Sequence, residues 1–163
     1  MLAWLDAEVA DDLPLRLVAS RAGLRTVAFH PAQALDGEPD PAHPLLREAV
    51  RQLRAYFAGE LRQFDLPLDM QGTPFQLRVW RELETIPFGE FRSYAQIAQA
   101  IGAPRAVRAV GSANGANPVA IIVPCHRVIG SSGKLVGYGG GLPLKQRLLA
   151  LESCALPLFR VPS

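Results

Sequence analysis

The sequence predicts an α/β chain of the α+β type. A small N-terminal antiparallel sheet with one helix comes first, and a mainly helical part with a helix-turn-helix and a cysteine-bearing segment follows. Three observations predict this. Two short apolar or β-branched runs flank Arg21-Ala22-Gly23, as in a hairpin. Helical periodicity with N-capping signals dominates after residue 72. An apolar run, Ala120-Ile121-Ile122-Val123, then leads through Pro124 into Cys125, His126 and Arg127. The length of 163 residues suits one compact unit or two small lobes, here expected at 1–72 and 73–163.

The elements follow in order. Residues 15–20 and 24–30 form the hairpin, and residues 31–44, rich in Pro and Asp, a loop. Leu46, Ala49, Val50, Leu53, Tyr56 and Phe57 share one face of a helix that Gly59 ends. Phe64, Leu66, Leu68 and Met70 alternate, which predicts a third strand. Thr73, Pro74 and Gln76 give an N-cap, a first-turn proline and a capping box, and Phe75, Val79, Trp80 and Leu83 form the apolar stripe that follows. Pro87-Phe88-Gly89 breaks that helix. Ser93 starts another, with Gln96 three residues on and Tyr94, Ile97, Ala98 and Ile101 on one face. Gly102-Ala103-Pro104 makes a tight turn before a slim helix, residues 105–113, built of Ala, Val, Gly and Arg. Two short helices about a glycine turn read as a helix-turn-helix. The apolar run before Pro124 reads as a buried strand. Gly137-Tyr138-Gly139-Gly140-Gly141 lacks the Lys-Ser/Thr of a P-loop and reads as a tight turn or a close backbone approach to a ligand. Pro143 opens a last helix through Leu144, Leu148, Leu149 and Leu151, ending near Glu152.

Composition narrows the function. Hydrophobic residues are 49% and charged residues 20%, an ordinary globular balance. No apolar stretch is long enough to span a bilayer, and the acidic N-terminal dozen does not read as a secretory signal. Two cysteines are too few for a disulfide framework or a four-thiolate zinc site, and we expect a reducing, cytoplasmic setting. Residues 1–90 carry nine Arg against fourteen acids, a net −5, and residues 91–163 carry six Arg and two Lys against one acid, Glu152, a net +7. A basic second half fits a polyanion partner and equally fits solvated helix faces.

A lone cysteine is more often a small core residue than a nucleophile. Here His126 is adjacent and Arg127 adds positive charge. A free thiol is only a few per cent thiolate at neutral pH, and a base or cation raises that fraction. Neighbours on a strand point to opposite faces, so His126 would reach the sulfur through a water. Histidine then needs an orienting acceptor. Glu152 is the only carboxylate side chain after Glu90, and on spacing alone it reads as a surface acid.

Pro124-Cys125-His126-Arg127-Val128-Ile129 resembles the active-site signature of the O6-alkylguanine-DNA alkyltransferases, the methylated-DNA–protein-cysteine methyltransferases. The resemblance extends in order and spacing over residues 73–152. It runs through Phe75-Gln76, Val79-Trp80, Ile86-Pro87-Phe88-Gly89-Glu90, Ser93-Tyr94, Arg108-Ala109-Val110-Gly111, Asn117-Pro118, Gly137 to Leu142, Leu148-Leu149 and Leu151-Glu152. The N-terminal part, a ribonuclease-H-like lobe in that family, resembles it only through its hairpin, helix and strand.

The resemblance implies direct reversal of DNA damage. Cys125 would take the alkyl group from O6-alkylguanine, and secondarily from O4-alkylthymine, in one irreversible turnover. His126 would activate the thiol through a water, and Glu152 would orient His126. Arg108 would fill the stack vacated by a flipped base, on a helix whose Ala109 and Gly111 allow close entry to the minor groove. Ser93, Tyr94 and Arg127 are further expected DNA contacts. Tyr94 would also donate a hydrogen bond to the guanine ring, and on periodicity alone it is a core residue. Asn117 would tie the recognition helix to the cysteine segment, or simply turn the chain before proline. Tyr138, Gly139, Val128, Pro124 and Ala120 would line the alkyl and base pocket.

Some members carry serine where this chain has Gly139 and proline where it has Ala120, which bears on tolerance of bulky adducts. Others hold zinc through N-terminal cysteines, but no cysteine precedes Cys125 here, so no metal and no cofactor are expected. His30 and His43 are expected in loops or at the surface, and Cys154 in a structural role. The implied partner is double-stranded DNA containing alkylated guanine, met by a monomer without membrane attachment, with cooperative loading on DNA left open. Three rival readings remain at this stage. A non-catalytic alkylated-DNA recognition protein would lack the reactive cysteine. A cysteine hydrolase would turn over. A transcription factor would need more reading side chains than the slim helix offers.

Overall fold

The computed structural model describes residues 1–29, 37–130 and 138–155, the side chains of Cys154 and Ala155 excepted. His30, the first part of the expected 31–44 loop, Gly137 and the Cys154 side chain lie outside the described residues. The chain divides into two compact units, one of 1–71 with Pro118–Ile122, the other of Gly72–Asn117 with Val123–Ser163.

The first unit is a four-stranded sheet in the order β3-β2-β1-β4 with one helix. Strands β1 (Ala3–Ala10), β2 (Leu13–Ala19) and β3 (Leu24–Ala28) are antiparallel neighbours, and the two-residue β4 (Glu38–Pro39) pairs parallel with the start of β1. The hairpin is therefore present, and β1 is an addition to it. Helix α1 (Pro44–Phe57) is capped by His43, whose ring nitrogen accepts from the Leu46 amide. It lays Leu46, Ala49, Val50, Leu53 and Tyr56 on β1 and β2. Each buried Leu or Val among them contributes about 1.5–3 kcal/mol of transfer free energy. The strand expected around residues 64–70 is reduced to one parallel bridge, Leu68 to Leu24. Gln52 accounts for part of this, because its side chain holds both backbone groups of Asp65 and takes them out of any ladder.

The chain does not divide at a single cut after residue 72. Residues 118–122 return to the first unit, where the Val27 amide donates to the Pro118 carbonyl at 2.9 Å and Val119 bridges Val27. The buried strand expected here is reduced to bridge residues, Val119, Ala120 and Val123, with a turn at Ile121 and Ile122 between them. Ile121, 1% exposed, has φ 71° and turns the chain out of extended geometry. A β-branched residue in the left-handed region costs roughly 1–3 kcal/mol and persists only where its surroundings impose it.

The second unit is helical. Helices α2 (Pro74–Leu83) and α3 (Tyr94–Ala100) both begin with complete capping boxes, Thr73 with Gln76 and Ser93 with Gln96. Helix α4 (Val107–Gly115) packs on both. Trp80 locks α2 to α4 by donating its indole N–H to the Ala113 carbonyl at 2.8 Å. The turn between α3 and α4 passes through Gly102 at φ 77°, which suits glycine. The strands β5 (Arg92–Ser93) and β6 (Val128–Ile129) form a short parallel pair. Helix α5 (Leu142–Ala155) starts one residue before Pro143 and runs nearly a turn past Glu152. None of the described helices is long and apolar enough to cross a membrane.

Candidate active site

Cys125, His126 and Arg127 form a single 3₁₀ turn, opened by Pro124 and closed by the Val128 amide donating to the Cys125 carbonyl. The strand geometry expected for them is thus replaced by a tight turn, which places side chains about 120° apart instead of on opposite faces. All three are buried, His126 completely.

Glu152 reaches this turn from α5. Its Oε2 lies 2.8 Å from His126 Nε2 and 3.0 Å from Arg127 Nη2, and its Oε1 accepts from Arg127 Nε at 2.9 Å. The Gly89 amide completes the set, donating to Oε1 at 3.2 Å. Burial alone would raise the carboxyl pKa, but the hydrogen bonds and charges of His126 and Arg127 bring it down to about 2. Glu152 is an ionised, wholly buried carboxylate, not the surface acid that spacing alone suggested. With Nε2–H donated to Glu152, His126 keeps Nδ1 as a proton acceptor. That atom is buried and has no protein partner among the described residues. Burial holds the imidazole pKa down against the pull of Glu152, with Arg127 and Lys145 adding to the depression, so the ring is neutral at pH 7.

Burial pushes the Cys125 thiol up, and a hydrogen bond from Asn117 and the charge of Lys145 act in the opposite direction. Asn117, two residues past α4, also donates to the Val123 carbonyl at 2.8 Å. The bond between the end of α4 and the cysteine segment is therefore present. Tyr94, the first residue of α3, is half-buried, and its hydroxyl pKa is raised first by burial and then by the proximity of Cys125. Pro124 and Val128 are buried beside the cysteine, and Tyr138 is half-buried with Gly139 exposed next to it. Ala120 is buried and belongs to the first unit.

Arg108 and Ala109 are exposed on α4, and Gly111 is partly so. Val110, Ala113 and Asn114 fill the opposite, buried side of the helix. Ser93 is committed to its cap, where its hydroxyl oxygen accepts from the Gln96 amide. Arg127 is among the expected DNA contacts. Its side chain is 8% exposed, and all three guanidinium nitrogens are engaged, two by Glu152 and Nη1 by the Ile86 carbonyl at 2.7 Å. The only acid in the basic half claims this guanidinium.

Two buried residues were not foreseen. Lys145 is fully buried and donates from Nζ to the Val128 carbonyl at 2.6 Å. Desolvation lowers its pKa to about 8. Its spacing with Leu148, Leu149 and Glu152 is that of one helix face, the one signal that could have found it. Asn114 sits on the buried side of α4 with its Nδ2 at 3.4 Å from the Cys125 carbonyl, and it also hydrogen-bonds Tyr94.

A buried thiol, a neutral imidazole with one open nitrogen and a clamped carboxylate, in a unit where α3 and α4 meet about a glycine turn, form a candidate single-cysteine nucleophile site. Comparison with known proteins makes this specific. Residues 74–154 match the 6-O-methylguanine DNA methyltransferase, DNA binding domain, and residues 14–70 match the ribonuclease-like domain of the same proteins. A methylated-DNA–protein-cysteine methyltransferase of Mycolicibacterium paratuberculosis is 71% identical over 104 residues, covering 64% of this chain and 63% of that protein's length. One from Methanosarcina acetivorans is 52% identical over 145 residues, 86% of this chain and 93% of its own. The crystal structure of the Mycobacterium tuberculosis O6-methylguanine methyltransferase superposes with a TM-score of 0.87 at 50% identity, covering 97% of this chain and 96% of that one. The M. tuberculosis protein solved in complex with DNA gives 0.86 at 52% identity, covering 93% of both chains. The chain belongs to the 6-O-methylguanine DNA methyltransferase family.

Proposed function

We propose that this chain repairs O6-alkylguanine in duplex DNA by transferring the alkyl group irreversibly to Cys125. The observation that carries the reading is the 3₁₀ turn that puts the buried Cys125 beside His126, with His126 Nε2 on Glu152 at 2.8 Å. The resting thiol is protonated because burial disfavours the thiolate. Attack therefore needs a base, and neutral His126 has Nδ1 available to take the thiol proton through a bridging water. Sγ then bonds to the alkyl carbon, and the carbon–O6 bond breaks with its electron pair going to guanine. Tyr94, whose hydroxyl burial keeps protonated, donates toward the ring as that charge develops. The Asn117 hydrogen bond and the Lys145 ammonium stabilise the thiolate meanwhile. The product thioether has no good leaving group, so the chain acts once.

The target atom is shielded in the duplex, so the base must be extruded at a cost of a few kcal/mol. The exposed face of α4, with Arg108 beside Ala109 and Gly111, suits entry into the minor groove, where readout is degenerate and damage can be met in any sequence. Ser93 and the pocket residues Tyr138, Gly139, Val128 and Pro124 complete the base site in this reading. No cofactor is required. We further propose that the protein works as a monomer in the cytoplasm and that O4-alkylthymine is a secondary substrate.

The test is a titration. Duplex DNA containing O6-methylguanine is mixed with increasing protein, and restored guanine is counted. The reading expects one guanine restored for each chain added until the damaged DNA is used up, and none with Cys125→Ala. Repeated turnover would make the protein a hydrolase. Tight binding without restored guanine would make it a recognition protein.

A further inference from the structure

We propose that Arg127 is a positioning residue for alkyl transfer, a buried guanidinium clamp that fixes Glu152 as an anion and thereby leaves His126 neutral and able to accept the cysteine proton. The inference deepens the alkyl-transfer reading and rests on it.

The geometry is that of a two-point clamp. Nε and Nη2 of Arg127 contact different oxygens of Glu152, at 2.9 and 3.0 Å. This bidentate arrangement fixes the carboxylate plane as well as its distance, which a single ammonium cannot do. The clamp is itself anchored. Nη1 donates to the Ile86 carbonyl at 2.7 Å, and the guanidinium carbon lies 5.8 Å from the centre of the Phe88 ring. The same Pro87-Phe88-Gly89 bend supplies the Gly89 amide to Glu152 Oε1. Bend, arginine and carboxylate thus form one frame, with the imidazole held at its edge.

The charge balance gives the clamp a chemical consequence. Glu152 contributes one negative charge and Arg127 one positive charge, so Arg127 offsets part of the pull that Glu152 exerts on a proton at His126, where burial already disfavours the imidazolium. Lys145, on the same helix as Glu152, adds a second cation that disfavours an imidazolium. Arg127 and Cys125 flank the ring on its own turn, and α2, which packs against that turn, brings the apolar Val79, Trp80 and Leu83 as its buried residues. Removing the guanidinium would leave the carboxylate charge to be balanced by the imidazole alone. His126 would then keep a proton to higher pH and lose its capacity as a base. An arginine serving only to hold the fold would leave the imidazole titration where it is.

The test follows the His126 ring by NMR in wild type, Arg127→Met and Arg127→Lys, together with the pH dependence of single-turnover alkylation. The imidazole titration in Arg127→Met should move up by one pH unit or more, and the acid limb of the rate should move with it, so that below both titrations the reaction is about tenfold slower. Arg127→Lys keeps the charge without the fork and should move less. Affinity for undamaged duplex and its salt dependence should stay the same, since the side chain is buried. An unmoved imidazole in a folded variant overturns the proposal. So does a salt slope reduced by about one, the mark of a lost phosphate contact. Wild type alone supplies a check that needs no variant to fold: the Glu152 carboxyl should give the carbon shift of a carboxylate down to about pH 3, and titration at an ordinary value overturns the clamp. The NMR readings need no alkyl transfer. A wild type that shows them yet never becomes alkylated therefore fails the functional reading, not the assignment of Arg127.

Discussion

Replacing Glu152 by glutamine tests how far the buried charge cluster stabilises the second unit. The carboxyl pKa is about 2 in the folded protein against 4.5 for the reference group. That gap corresponds to about 3 kcal/mol of stability at neutral pH. The sign follows from linkage. A folded pKa below the unfolded one means that the unfolded chain binds the extra proton, so the contribution is complete above about pH 4.5 and is lost as pH falls toward 2. Glu152→Gln should therefore lose about 3 kcal/mol at pH 7 in urea unfolding, and its stability should be flatter than wild type between pH 5 and 3. The loss has a second source, because Arg127 would be left a buried cation without its anion, with one amide oxygen in place of the two carboxylate oxygens, and the Ile86 carbonyl still on Nη1. The double variant Arg127→Met/Glu152→Gln should accordingly recover part of what the single variant loses. A loss below 1 kcal/mol, or additive single and double variants, would refute the claim that these two charges are held by each other.

Three further outcomes are expected. Lys145→Met should slow alkylation about tenfold at pH 7 by letting the thiol pKa rise further. It should also remove a rise in wild-type stability between about pH 8 and pH 10, because the folded lysine, near 8, releases its proton before the unfolded one. Urea midpoints at pH 7.5 and 9.5 read the second effect. Arg108→Ala should slow repair of alkylated duplex about 30-fold, equivalent to roughly 2 kcal/mol of lost help in flipping, and leave reaction with free O6-alkylguanine base unchanged. Equal losses on both substrates would show that Arg108 does not act on the duplex. Gly72→Ala should lower the melting temperature, because a Cβ there would meet the Trp80 ring at 2.5 Å, and such overpacking costs about 1–3 kcal/mol.

The sequence carried local signals well and long-range ones poorly. Thr73 with Gln76 and Ser93 with Gln96 marked helix starts that the structure contains, because a capping box is complete within four residues. The apolar stripe of α1 was readable for the same reason. Strand β1 escaped, although Leu5, Ala7 and Val9 alternate with Asp6 and Glu8, because its acids drew attention to charge. Residues 118–123 carried the composition of a strand, yet the φ of Ile121 bends them, and no propensity foretells a β-branched residue in that region. The site was legible where chemistry is contiguous, in Cys125 and His126. For Arg127 the partner lies 25 residues away, and only folding decides whether a guanidinium meets water, phosphate or a buried carboxylate.

The most direct measurement is the intact mass of the protein after mixing with an excess of duplex DNA containing O6-methylguanine, followed by mapping of the peptide that holds Cys125. The account predicts a gain of one methyl group per chain, on Cys125 alone, after which the protein is inert. Cys125→Ala should gain nothing. An unchanged mass with repaired DNA, or with damaged DNA bound and unrepaired, would contradict it.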